Sequence, residues 1–132
     1  MHVDGHCYCG KIRFAAEADP ATALICHCTD CQELTGSAYR AVVMAKNLNI
    51  LSGTPKVWIK TAESGRQRAH AFCADCGSPI YSGAIDGSLE TVSLRIGTLD
   101  QRRDLEPQKQ IWAQSSLPWA LDLLGLEWHE RQ

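Results

Sequence analysis

The segment Cys26-His27-Cys28-Thr29-Asp30-Cys31 places three thiols within six residues. The chain has four further cysteines in two separate pairs, Cys7 with Cys9 and Cys73 with Cys76. The two outer pairs together provide the four ligands of a closed tetrahedral site, which is typical of structural zinc. The central triplet provides three ligands and leaves a fourth position to be filled. Three protein ligands with an open position are typical of a zinc site that does chemistry.

The two outer pairs share one local feature, a glycine after the second cysteine. A glycine directly follows the second cysteine of each pair, Gly10 in the first and Gly77 in the second. A tight reversal of the chain around a metal favours a residue without a side chain at that point. This match favours one shared four-cysteine site, which would tie the N-terminal strand to a hairpin near residues 70 to 80. Spacing alone leaves open another division, in which Cys28 and Cys31 join the second pair.

The composition is that of a globular domain. The 132 residues suit a single domain, covering residues 1–132, and 45% of them are hydrophobic, which is enough to bury a core. The formal net charge is -2 and no long run of one sign occurs. This charge pattern argues against nucleic acid as a partner.

The sequence also predicts where the protein works. The opening residues 1–4 contain no basic region and no apolar segment follows, so we expect no signal peptide. The longest clearly apolar run, residues 41–45, is far short of the ~20 residues that span a bilayer. We therefore expect a soluble, cytoplasmic protein that makes no use of a membrane. Cytosolic thiols stay reduced, so the cysteine spacings indicate metal ligands rather than disulfides.

Short alternating runs between turn signals predict a mainly β fold. Residues 5 to 14 have strand periodicity, and on an extended chain Cys7 and Cys9 would face the same way. Asp19-Pro20 is expected to end this strand. Further strands are expected at residues 23–25, 39–44, 46–51, 57–61, 67–72, 80–81 and 90–96. The chain after Gly97 is expected to be irregular, with short turns.

One short helix is predicted directly after the triplet begins. Thr29-x-x-Gln32 fits a capping box with Thr29 as the N-cap. Gly36 fits the position just after a helix end. Residues 30 to 35 should therefore form one or two helical turns, with Cys31 in the first turn. A helix N-terminus favours the thiolate form that binds metal.

Zinc is the expected metal, because it tolerates all-thiolate tetrahedral sites and is redox-inert. An iron–sulfur cluster on the four outer cysteines is the alternative. Three thiolates on a zinc ion leave a net charge of -1 and one open position. A thiolate from a small substrate fits that position, and zinc would keep its sulfur nucleophilic near neutral pH. An aldehyde carbon is the natural electrophile. Water as the fourth ligand would give hydrolysis instead, which the blunted Lewis acidity of such a zinc disfavours.

A fourth protein ligand would close the triplet site and make it purely structural. The candidates are His6, His27, His70, Asp30 and Glu33. His27 lies between two ligands in an extended segment and should point the opposite way. The residues alone leave the open and closed sites equally favoured.

Two further features, the tryptophans and two arginines, have both a structural and a functional interpretation. Tryptophans are usually core residues, so we expect Trp58, Trp112, Trp119 and Trp128 in the core rather than around a pocket. Arg40 and Arg95 could bind a substrate carboxylate, but each is expected to be an exposed strand residue. A substrate pocket is expected between the triplet and the Trp112–Trp119 segment.

Three motifs occur in order along nearly the whole chain. They are Gly5-x-Cys7-x-Cys9-Gly10-x-Ile12-x-Phe14, Cys26-His27-Cys28-x-x-Cys31-x-x-x-x-Gly36-Ser37 and Phe72-Cys73-x-x-Cys76-Gly77-Ser78. They resemble the motifs of the glutathione-dependent formaldehyde-activating enzyme (GFA) family. Gly97-Thr98-Leu99-Asp100 and Ile111-Trp112…Ser116-x-Pro118-Trp119 resemble its C-terminal part.

The resemblance implies a β-tent, which is a fold of zinc-stabilised antiparallel sheets, here with one or two short helical turns. It implies two zinc ions per chain, with the second site open to partial occupancy. By the resemblance, the structural zinc would be bound by Cys7, Cys9, Cys73 and Cys76. The catalytic zinc would be bound by Cys26, Cys28 and Cys31, which favours the open site.

The activity implied is that of a carbon–sulfur lyase similar to S-(hydroxymethyl)glutathione synthase. Such an enzyme promotes the reversible addition of a small thiol, glutathione or similar, to formaldehyde or another small aldehyde. The alternative is a non-enzymatic, zinc-stabilised binding module, since a fold does not fix a function.

Overall fold

The protein is described here by a computed structural model, which covers all residues from 1 to 132. The prediction of a mainly β fold is confirmed. The strands are β1 (His2–His6), β2 (Arg13–Ala18), β3 (Leu24–Cys26), β4 (Arg40–Ser52), β5 (Lys56–Thr61), β6 (Gln67–Phe72), β7 (Pro79–Gly83), β8 (Thr91–Arg95) and β9 (Lys109–Ile111). The one α-helix, α1, spans Thr29–Thr35, and short 3-10 turns make up the remaining helical structure. No helix is both long and apolar enough to cross a membrane.

All nine strands belong to one sheet, and seven of them follow the order β1-β2-β4-β8-β7-β6-β5. The neighbours along this path are antiparallel. The 13-residue strand β4 is central, because it pairs with β2, with β8 and also with β3. β3 in turn pairs in parallel with β9, which brings the end of the chain next to the triplet.

One face of the sheet carries the hydrophobic core. Val43 pairs with Leu94, Leu94 with Tyr81 and Tyr81 with Ala71, so these four side chains share one face. All four belong to the main buried cluster, together with side chains such as Phe14. Burial of this continuous apolar face is the main force that holds the sheet together.

The other face of the same strands is polar. Trp58 pairs with His70, His70 with Ser82 and Ser82 with Ser93. Arg95 lies two residues after Ser93, on the same face of β8, because strand side chains alternate. This polar face is therefore the surface on which a site can be built.

Some strand boundaries differ from the prediction. The two strands predicted at 39–44 and 46–51 are one strand, β4, which continues through an irregularity at Asn47. Asn47 has a φ of 54°, a left-handed conformation that asparagine tolerates. The register with β2 shifts at the same place. Strand β9 was missed, although the rest of the chain after Gly97 has the expected irregular structure with short turns.

The prediction that the tryptophans form the core is wrong. Their exposed fractions are 51% for Trp58, 57% for Trp112, 62% for Trp119 and 90% for Trp128. Apart from Phe14 and Tyr81, the core consists of small and aliphatic side chains. Trp58 lies on the edge strand β5, and the other three lie beyond the main sheet, at or after the end of β9.

Candidate metal centres

The four outer cysteines form one cluster. Their sulfur atoms, from Cys7, Cys9, Cys73 and Cys76, all lie within 4.8 Å of one another. The Cys7–Cys9 and Cys9–Cys73 sulfur distances are 3.6 Å and 3.8 Å. A tetrahedral zinc with Zn–S bonds of about 2.3 Å separates its sulfurs by about 3.8 Å. The donor set and its spacing therefore fit a tetrahedral metal ion.

Two turns of the same kind carry these cysteines. Gly10 donates its N–H to the Cys7 carbonyl over 3.0 Å, and Gly77 donates to the Cys73 carbonyl over 2.8 Å. The glycines have φ values of 78° and 79°, which side-chain-bearing residues rarely adopt. Cys7 and Cys9 thus lie in a turn between β1 and β2 and not on one extended strand, as the sequence suggested. The turn closes because Gly10 accepts the left-handed conformation.

A hydrogen bond links the two turns, and further polar contacts involve the Cys7 and Cys76 sulfurs. The Ile12 N–H donates to the Cys7 sulfur over 3.3 Å. The Ser78 hydroxyl accepts the Tyr8 N–H over 2.9 Å and lies 3.3 Å from the Cys76 sulfur. Hydrogen bonds from Ser78 lower the pKa of the Cys76 thiol to about 5, since they stabilise the thiolate.

The triplet also forms a cluster. Cys26 ends β3, and Cys28 and Cys31 lie at the start of α1. Their three sulfurs lie within 4.8 Å of one another, with Cys28 and Cys31 3.0 Å apart. Each of the two clusters could hold a metal ion, and their membership excludes the division that joins Cys28 and Cys31 to the second outer pair.

The prediction of Thr29 as the N-cap is wrong, since Cys28 holds that position. Cys28 has an extended conformation and its sulfur accepts the Cys31 N–H over 3.3 Å. Thr29 is the first residue of the helix. The predicted helix end is confirmed, because Gly36 has a φ of 64° and donates its N–H to the Gln32 carbonyl. The same sulfur therefore caps the helix and joins the cluster.

No fourth histidine, cysteine, aspartate or glutamate joins the triplet in the 132 residues. The His27 ring points to Gln110 on β9, with 2.6 Å between Nε2 and Oε1. Asp30 forms an ion pair with Lys60, which fastens α1 to β5. His6, His70 and Glu33 also lie outside the cluster. The three sulfurs thus have no further ligand of these types from the protein.

Arg40 contacts the triplet directly, which the sequence did not reveal. Its Nη2 donates to the Cys31 sulfur over 2.8 Å. The contact is possible because Arg40 on β4 pairs directly with Cys26 on β3. Arg40 is partly buried, so the expectation of a freely exposed strand residue is wrong. Burial raises the pKa of the Cys31 thiol, and the positive charge of Arg40 opposes that effect.

A cavity of about 600 Å³ adjoins the triplet between α1 and the hairpin β5–β6. This size suits a small ligand. It is lined by Leu34, Thr35, Arg40, Lys56, Val57, Trp58, His70, Ala71, Phe72, Gly77, Pro79 and Arg95. None of these residues belongs to the Trp112–Trp119 segment, so this cavity is not where the pocket was predicted. That segment instead packs against the triplet loop, where the Gln32 side chain donates to the Ser115 carbonyl over 3.0 Å.

Arg95 and His70 form the inner part of this cavity. Arg95 is only 7% exposed, so the prediction of an exposed residue is wrong. Its Nη2 lies 3.3 Å from His70 Nδ1. Burial, with Arg95 and Arg40 nearby, lowers the pKa of His70 to about 4, so His70 is neutral at neutral pH. Burial also lowers the pKa of Arg95, to about 9.

Comparisons with known proteins bear on the fold and the family of the chain. No curated protein matches the chain significantly. A crystal structure of a Rhodobacter sphaeroides protein shares the fold, with a TM-score of 0.60 and 21% sequence identity, over 83% of this chain and 99% of that chain. A sequence profile described as "Glutathione-dependent formaldehyde-activating enzyme" matches residues 2–115. The chain therefore belongs to the glutathione-dependent formaldehyde-activating enzyme family.

Proposed function

We propose that this protein is a zinc-dependent carbon–sulfur lyase that promotes the reversible addition of a small thiol to formaldehyde or another small aldehyde. Glutathione is the first thiol to test, because the family is described by it. The observation that carries the proposal is the triplet, in which three sulfurs converge and no fourth histidine, cysteine or carboxylate ligand joins them.

The two clusters have different roles in this proposal. The four outer cysteines, Cys7, Cys9, Cys73 and Cys76, hold a structural zinc that fastens the β1–β2 turn to the turn before β7. Cys26, Cys28 and Cys31 hold the catalytic zinc. When bound there, zinc supplies a Lewis acid that lowers the pKa of a thiol and keeps its sulfur nucleophilic near neutral pH.

Arg40 makes the triplet able to accept another anion. Three cysteine thiolates and a dication have a net charge of -1, which would repel a fourth thiolate. The Arg40 guanidinium, 2.8 Å from the Cys31 sulfur, compensates that charge. An arginine side chain carries a positive charge and is not a metal ligand, so Arg40 adds charge without closing the site.

In the addition, the thiol sulfur attacks the aldehyde carbon and a carbon–sulfur bond forms. The carbonyl π bond breaks, its electron pair goes to the oxygen, and the proton from the thiol ends on that oxygen. The product is a hemithioacetal, which is an S-hydroxymethyl adduct when the aldehyde is formaldehyde, and the reverse reaction breaks the same bond. No oxidant or reductant is needed, which suits a redox-inert metal.

The proposal is tested first by the zinc content and then by thiol binding. We expect two zinc ions per chain and a saturable titration with glutathione. The rate of exchange between ¹³C-formaldehyde and its thiol adduct, measured by NMR exchange spectroscopy, should exceed the uncatalysed rate. The matched control is Cys28→Ser, which keeps a helix-capping side chain and removes one thiolate of the triplet. Two zinc ions with no thiol binding and no faster exchange would favour a binding module instead.

A further inference from the structure

We propose that the cavity beside the triplet is a carboxylate-binding site, formed by Arg95 and Arg40, which holds the carboxylate of the reacting thiol. The inference rests on the proposed function, and it adds a charge requirement for the substrate. A preferred thiol would carry its carboxylate a short spacer away from its sulfur.

The lining of the cavity offers hydrogen-bond donors and no negative charge. Among its twelve residues are Arg40, Lys56, His70 and Arg95, but no aspartate or glutamate. The ion pairs of the protein within 4.0 Å include none from Arg40 or Arg95 to a carboxylate. Lys56 and Arg95 are cations with no counter-charge in this lining, which is the complement of an anionic ligand.

Both arginines have buried nitrogen atoms without a hydrogen-bond partner. These atoms are Nε of Arg95 and Nη1 of Arg40. Arg95 is 7% exposed, so water cannot fully replace the missing partner. A buried donor left unpaired costs about 1–3 kcal/mol, and more when it is charged. A carboxylate accepts several hydrogen bonds at once, so one bound in the cavity would pair with the guanidinium groups to which these atoms belong.

His70 adds a third donor. Arg95 can only donate hydrogen bonds, so the His70 Nδ1, 3.3 Å from Arg95 Nη2, must be the acceptor. The ring proton of neutral His70 is then on Nε2, which makes this atom a donor. The cavity therefore presents donors from three side chains on the polar face of the sheet, Arg40, Arg95 and His70.

The geometry joins this site to the triplet. Arg40 lines the cavity and also contacts the Cys31 sulfur, so one side chain touches both places. Leu34, Val57 and Pro79 line the cavity as apolar residues. They could pack against the carbon spacer between a sulfur and a carboxylate. Formaldehyde has neither spacer nor charge, so when formaldehyde is the aldehyde, the thiol is the substrate that can use these features.

Three thiols of similar size test the inference by isothermal titration calorimetry with the zinc-loaded protein. They are 3-mercaptopropionate, which is anionic, 2-mercaptoethanol, which is neutral, and cysteamine, which is cationic. We expect 3-mercaptopropionate to bind about tenfold or more tightly than 2-mercaptoethanol, as charged hydrogen bonds would give, and cysteamine to bind weakest. Arg95→Met should lower the affinity for 3-mercaptopropionate far more than the affinity for 2-mercaptoethanol, and so abolish the preference.

Two further variants keep the test decisive. Arg68→Met removes a nearby cation that does not line the cavity and should keep the preference. If Arg95→Met does not fold, Arg40→Met should still collapse the ratio between the anionic and neutral thiols. Equal affinities of the wild-type protein for all three thiols would overturn the inference. So would an equal loss of preference in Arg68→Met and the cavity variants.

Control ligands separate this inference from the proposed function. Propionate has the carboxylate without the thiol, and its Arg95-dependent binding would support the anion site even if no thiol bound. If propionate binds but no thiol does, the proposed function is contradicted. The cavity is then an anion site that does not hold a reacting thiol. A preference for glyoxylate over acetaldehyde, with none among the thiols, would assign the carboxylate to the aldehyde and overturn the inference as stated.

Discussion

Arg40 on β4 donates a hydrogen bond to the sulfur of Cys31 on α1 over 2.8 Å. The two residues are nine positions apart in sequence, and their contact joins the three-cysteine cluster to the cavity beside it. It also places a positively charged guanidinium beside the three converging cysteine sulfurs. In the proposed function, the positive charge of Arg40 reduces the repulsion between the triplet and a further anionic sulfur.

Replacement of Arg40 by methionine should weaken thiol binding. The variant loses the positive charge that offsets the incoming thiolate and a hydrogen-bond donor to the ligand's carboxylate. Because a hydrogen bond between charged groups is worth about 1.5–3 kcal/mol, the dissociation constant for glutathione should rise about tenfold or more. The zinc content should stay at two ions per chain, because the cysteines remain. Arg40→Lys should lie between the two, since lysine keeps the charge but not the planar fork. Arg68→Met is the control, and an unchanged affinity in Arg40→Met would contradict the role given to Arg40.

The two clusters should respond differently to loss of a cysteine. Cys76→Ala removes a ligand of the four-cysteine site, which in zinc-finger peptides is a site worth on the order of 10–16 kcal/mol. We expect a loss of much of the protein's stability, measured by thermal denaturation with zinc content followed in parallel. Cys28→Ser should cost less than about 2 kcal/mol, because serine can still cap α1, but it should abolish thiol binding. Equal destabilisation by both changes would show that the triplet is structural as well.

The stability of the protein should fall with pH partly through His70. Burial and the nearby arginines lower the pKa of His70 to about 4 in the folded protein, from 6.5. Between these values the unfolded chain binds a proton that the folded protein does not, so acid favours unfolding. The contribution is complete above pH 6.5 and is lost as the pH falls towards 4.

The variant His70→Gln isolates this effect. Protonation of the cysteines also destabilises the protein in acid, but it does so in both proteins and cancels in the comparison. The free energy of unfolding, from urea titrations at pH 7 and pH 5, should drop more in the wild-type protein than in His70→Gln. Parallel pH dependences in the two proteins would show that the pKa of His70 is not lowered.

The cysteine grouping and much of the fold were predictable from the sequence, because their signals are local. Gly10 and Gly77 mark two matching turns, and each turn forms within a few residues. Alternating side chains located most strands, including the hairpin β5–β6. The end of α1 at Gly36 was likewise set by one residue with a left-handed conformation.

The surroundings of the triplet were not predictable, because they depend on strand register. Arg40 meets the cysteines through the pairing of β4 with β3, and Arg95 meets His70 across β8, β7 and β6. A strand pattern shows which residues share a face but not which strand is the neighbour. The N-cap was misplaced for a related reason. Thr29 fits the capping pattern, but the Cys28 sulfur accepts the Cys31 N–H, so Cys28 is the N-cap and the helix begins one residue earlier than predicted.

Cadmium-113 NMR tests the central claim most directly, because it reports on each metal centre separately. Protein loaded with ¹¹³Cd in place of zinc should give two resonances, one for each cysteine cluster, and Cys28→Ser should change only one of them. Addition of glutathione should shift that same resonance towards the other, as a fourth sulfur joins the triplet, and leave the second unchanged. Two resonances whose chemical shifts both stay unchanged on addition of glutathione would contradict an open three-cysteine site. A single resonance for the whole chain would contradict it as well.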